Sequence, residues 1–103
     1  MKYNLDTQKI ADTLEFDLED VEMLLGVFLE STKDLLVSLK SAIENNDYEN
    51  IIQASHSIKG SAANLTLMDI SEIAKEIETS ARNNLEIDYQ AKFDSLEKLI
   101  NNI

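Results

Sequence analysis

Apolar residues recur along this chain at steps of three and four, and the recurrence breaks only at short runs rich in asparagine and aspartate. From about Leu18 to Glu44 the series Val21, Leu25, Phe28, Thr32, Leu35, Leu39 and Ala42 draws one stripe along a long helix. Leu18, Leu29 and Leu36 widen that stripe, so this helix is expected to touch two neighbours or to leave apolar surface for a partner. A second long helix, from about Tyr48 to Leu65 with Asp47 as its cap, turns Ile51, Ser55, Ile58, Ala62 and Leu65 inward. The next follows Asp69, whose spacing to Glu72 is that of a capping box, and buries Ile70, Ile73, Ala74, Ile77 and Ala81. The last follows Asp88 and presents Tyr89, Phe93, Leu96, Ile100 and Ile103. Ahead of them a short helix near Thr7 to Leu14 sets Ile10 and Leu14 on one side and is expected to lie across the bundle as a lid, and Asp17 is expected to cap the long helix after it. Four long amphipathic helices with short joints predict an all-α antiparallel four-helix bundle with a short additional N-terminal helix.

Composition supports that reading. At 103 residues the chain forms one domain, 1–103, with room for one core and none for a second catalytic module. Proline is absent and glycine occurs only at Gly26 and Gly60, which leaves long helices uninterrupted. Twenty acidic against nine basic residues give a formal net charge of −11, which argues against nucleic acid or an anionic membrane as partner. Without cysteine there is no disulfide framework and no thiol chemistry, and neither a membrane-length apolar run nor a signal-peptide segment is visible. A cytoplasmic protein is expected. One histidine among scattered carboxylates shows no metal-ligand spacing, so neither metal nor cofactor is expected.

That one histidine carries the candidate chemistry. At about 100° per residue, His56 lies roughly 140° from the inward stripe of its helix, so the ring faces water rather than the core. Gly60, one turn on, costs helix propensity at an exposed position, and together with Ala63 it leaves room for another protein's reactive group to approach the ring. Lys59, at i+3, can bring an ammonium to an anion carried there, and Gln53, at i−3, can offer a hydrogen bond. A solvent-facing imidazole keeps an unprotonated fraction near neutral pH, so a ring nitrogen can act as a nucleophile toward an acyl phosphate.

The run Ala54-Ser55-His56-Ser57-Ile58-Lys59-Gly60-Ser61-Ala62-Ala63-Asn64-Leu65 closely resembles the H-x-x-K-G-S signature of histidine-containing phosphotransfer (HPt) domains. Glu76-Ile77-Glu78 falls where that family's following helix has its hydrophobic-Glu end, so the likeness extends over nearly the whole chain. The resemblance implies phosphorylation of His56 at Nε2, with Lys59 as electrostatic partner, Gly60 as the clearance position and Ser61 as a hydrogen-bonding neighbour. It also implies docking of response-regulator receiver domains through an apolar patch drawing on Ile52, Ala63 and leucines of the first two helices. A hybrid sensor histidine kinase is the expected upstream partner. The domain would be a carrier, not an enzyme, with Mg²⁺ and the catalytic acids supplied by the receiver. Thr66 departs from the glycine that many members have after Asn-Leu, which puts the geometry of that joint in question.

Three other readings remain. A histidine-kinase dimerisation hairpin typically has His-Glu followed by proline, whereas Ser57 follows His56 here and proline is absent. A bundle that only binds partners would need no set of His56, Lys59 and Gly60 together. A phosphotransfer domain of the chemotaxis-kinase type shares fold and chemistry but takes its phosphoryl group from a kinase domain; the length and the early Met1 favour a free-standing protein.

Overall fold

The computed structural model describes residues 3–103, so Met1, on which the free-standing reading leans, lies outside the described residues. Five helices follow one another: α1 (Thr7–Leu14), α2 (Leu18–Glu44), α3 (Tyr48–Asn64), α4 (Met68–Arg82) and α5 (Tyr89–Asn101). The described chain is all-α, as expected. Helices α2, α3, α4 and α5 form a closed ring in which each packs on the next and α5 returns to α2, while neither diagonal pair meets. The 27 residues of α2 span about 40 Å at 1.5 Å per residue and set the 42 Å long axis of the molecule. No helix among the described residues is long and apolar enough to cross a membrane.

The helix starts follow from capping chemistry at three joints. Asp6, Asp47 and Asp88 accept hydrogen bonds from the backbone N–H groups of Lys9, Asn50 and Ala91. Asp17 occupies the cap position of α2 but makes no side-chain cap bond. Asp69 is not a cap: α4 begins two residues earlier than expected, at Met68 after Leu67, because that leucine is drawn into the core. Asp69 instead sits in the first turn, where a carboxylate suits the positive end of the helix dipole. Asn46 and Asn84 take up left-handed backbone just past their helix ends, a conformation asparagine tolerates. Helix α1 lies over the bundle end, with Ile10 and Leu5 near Leu67, Ile70, Leu99 and Ile103. The Asn4 backbone N–H donates to the Ile103 carbonyl and its side-chain Nδ2 to the Asn102 carbonyl at 3.0 Å, which ties the two ends together there.

Two inward stripes differ from the sequence reading. On α2 it is Leu36, not Leu35, that is buried, because α5 presents Phe93 and Ile100 on that flank while Leu35 borders the open groove toward α3. On α4, Ile73 is only half-buried and Ser71 and Glu78 are buried instead. Small residues at the contact, Ser55 and Ala62 on α3 with Ser71, Ala74 and Ala81 on α4, let these helices approach closely, and α4 is turned toward α3. Ser71 Oγ donates to the Lys59 carbonyl at 3.1 Å across the seam.

Thr66 resolves the question its departure raised. Its φ is 60°, a left-handed conformation that glycine adopts freely and a β-branched residue adopts under strain. Thr66→Gly is therefore expected to stabilise the fold by about 1 kcal/mol, read as a higher urea midpoint at unchanged slope. An unchanged or lower midpoint would show that the joint is not strained.

Candidate functional site

Burial of Ile51, Ser55, Ile58 and Ala62 fixes the rotation of α3, with Ser55 Oγ satisfied by the Ile51 carbonyl at 2.6 Å. That rotation turns His56 outward, with its side chain 59% exposed. Gly60 is exposed on the same side, and a Cβ placed there would meet nothing within 4 Å beyond its chain neighbours and its own helix backbone. Ala63 is exposed too. The imidazole is thus open to approach over the turn that follows it.

Beneath the ring lies a buried carboxylate that the sequence reading did not single out as a site residue. Glu78 of α4 has a side chain only 5% exposed, and three partners converge on it. His56 Nδ1 stands 2.9 Å from Oε2, Lys59 Nζ 2.7 Å from Oε1, and Arg82 reaches Oε2 through Nη2 at 2.8 Å and Nε at 3.0 Å. Burial works against the charge of Glu78, but hydrogen bonds from Lys59, Arg82 and His56 outweigh it and hold the carboxyl at about 2, below the ordinary 4.5. An ionised carboxylate only accepts, so the hydrogen between Oε2 and the ring belongs to Nδ1. The ring proton of neutral His56 is then fixed inward, and the lone pair of Nε2 points to solvent.

Of the residues expected to support the histidine, Lys59 is in place but engaged with Glu78. Gln53 is exposed and borders the α2–α3 groove beside Leu35, Ser38 and Ser57; among the described residues it makes no hydrogen bond to His56. Ser61 is half-buried one turn beyond Ser57, on the flank of α3 away from Glu78, and has no bond to the ring. Ile52 is half-buried against the core, and Ala63 is exposed; both share the α4-facing side of α3 with Lys59. Two local signals pointed to the missed pair: the Glu76-Ile77-Glu78 match at the end of the following helix, and the i,i+4 spacing Glu78-x-x-x-Arg82.

The family model for the Hpt domain matches residues 23–103, which takes in the histidine, the buried glutamate and both cations. The chain is also similar to chemotaxis protein CheA of Borreliella burgdorferi, 37% identical over 70 residues, covering 60% of this chain and 8% of that protein. It therefore spans only a small part of that relative's length. No solved structure matches it. Sequence signature, helical ring and family match agree, and this chain belongs to the Hpt domain family.

Proposed function

We propose that this domain carries a phosphoryl group on Nε2 of His56, taking it from the aspartyl phosphate of a receiver domain or from a sensor kinase and passing it to a response-regulator aspartate. The observation that carries the reading is the exposed ring whose inner nitrogen stands 2.9 Å from the buried carboxylate of Glu78. In the accepting step the Nε2 lone pair attacks phosphorus, the P–O bond to the donor carboxylate breaks, and that carboxylate leaves with the electron pair. Nε2 has no proton to lose, so the step needs no general base from this chain. The positive charge that develops on the ring is delivered 2.9 Å from the Glu78 carboxylate, which stabilises it. Donation onward is the reverse, and Mg²⁺ and the acidic groups that handle the transferring phosphoryl belong to the receiver.

The likeness to a chemotaxis protein favours a second reading of the donor, a kinase domain in place of a receiver. On α2 the outward Met23, Val27 and Val37 are more than half exposed and offer apolar contact to either partner. To test the proposal, the purified domain is incubated with a phosphorylated receiver and, separately, with a chemotaxis-type kinase and ATP. The expected product is acid-labile, alkali-stable label on the peptide containing His56. Label on another residue, or none from either donor, rejects it.

Gly60 provides a check on the open approach. Gly60→Glu is expected to fold at least as stably as the wild type, since the site is empty and glycine is the poorer helix former by up to about 1 kcal/mol. Transfer with a receiver is expected to slow about tenfold or more, because a bulky charge now stands at the contact. Wild-type transfer rates in this variant would show that the partner does not cross this turn.

A further inference from the structure

Glu78 has two cations where one would neutralise it. Lys59 holds Oε1 from α3, and Arg82 holds Oε2 from one turn along α4. The two cations use different oxygens, so either can leave without disturbing the other's bond. They are also unlike in freedom. Arg82 grips through two nitrogens of a rigid planar group, whereas Lys59 is a point charge on a flexible stem, 30% exposed and one turn from His56 on the same helix.

We propose that Arg82 is a positioning residue that keeps Glu78 compensated while Lys59 swings from Oε1 to the phosphoryl group on His56. This deepens the function proposed above and rests on it. A phosphoryl group brings nearly two negative charges to a chain already at −11, so a local cation is needed there. Were Lys59 the only cationic side chain on Glu78, releasing it would leave the buried carboxylate with the ring Nδ1–H as its sole partner, a disfavoured state. With Arg82 in place the carboxylate keeps a cation and its bond to Nδ1, and Lys59 is free to move. Arg82 thus acts on the phosphorylated ring through Lys59, without touching the phosphoryl group.

The test uses the whole chain phosphorylated with phosphoramidate and followed by ³¹P NMR, comparing wild type, Lys59→Ala, Arg82→Gln, Arg82→Lys and the Lys59→Ala/Arg82→Gln double variant. A cation on the phosphoryl oxygens opposes their departure, so Lys59→Ala and Arg82→Gln are each expected to shorten the phosphohistidine lifetime about threefold. The double variant is expected to live no shorter than either single one, and Arg82→Lys to restore the wild-type lifetime. Urea midpoints should behave oppositely, the double variant losing more than the two single losses together, because only it leaves Glu78 with no cation. An Arg82→Gln lifetime equal to wild type, or lifetime losses that multiply in the double variant, overturns the proposal. Failure of wild type itself to form phosphohistidine at residue 56 overturns the function beneath it, and this inference with it.

Discussion

The domain with His56→Gln is expected to accept no phosphoryl group from any donor while remaining as well folded as the wild type. Both halves of that outcome follow from where the ring sits. Its side chain is 59% exposed and, among the described residues, its one bond is to Glu78, which keeps Lys59 and Arg82 when the imidazole is gone. The stability change should therefore stay within about 1 kcal/mol, as for other exposed substitutions. The chemical loss is complete because the nitrogen lone pair of glutamine is delocalised into its amide and no other histidine exists in the chain. Label retention, circular dichroism and the urea midpoint, measured on one preparation, separate the two halves. Equal labelling of wild type and variant would remove His56 from the mechanism, and an unfolded variant would contradict the exposed position.

How much of this was legible in the sequence differs between the two sides of the site. The rotation of α3 came out as the hydrophobic stripe predicts, because Ile51, Ile58 and Ala62 are apolar and leave one solution for the outward face. With that rotation came the exposure of His56 and the open turn at Gly60. The other half, Glu78, could not be read in the same way. Pattern reasoning assigns charged residues to water, and on α4 it put Ile73 inside and left Glu78 out. What buries the carboxylate is tertiary: small residues draw α4 onto α3, and two cations from different helices meet there to neutralise it. Joint geometry was legible in part. The asparagines at the α2–α3 and α4–α5 turns announce left-handed helix ends, whereas Thr66 adopts the same conformation against its own preference.

Glu78→Gln is expected to slow phosphoryl transfer about 10- to 100-fold, by analogy with metal-bound histidines that lose the group orienting them. A glutamine carbonyl can still accept from Nδ1, but its amide nitrogen then faces Lys59, and the charge that stabilises the phosphorylated ring is gone. The same change alters how stability depends on pH. The folded protein keeps Glu78 ionised down to about 2, while an unfolded glutamate takes up its proton near 4.5. The stabilisation from ionised Glu78 is therefore whole above about pH 4.5 and shrinks as pH falls toward 2. At about 1.4 kcal/mol for each tenfold change in proton affinity, it amounts to about 3 kcal/mol. Glu78→Gln should be about 2–3 kcal/mol less stable than wild type at neutral pH, and the gap should close on acidification as the wild type loses what the variant never had. Urea titrations at about pH 7, 4.5 and 2.5 read this directly, with the other acidic groups common to both proteins and cancelling in the difference. A gap that stays constant across that range would mean that the carboxylate is not held ionised by its three partners. The fixed orientation of the His56 lone pair would then lose its cause.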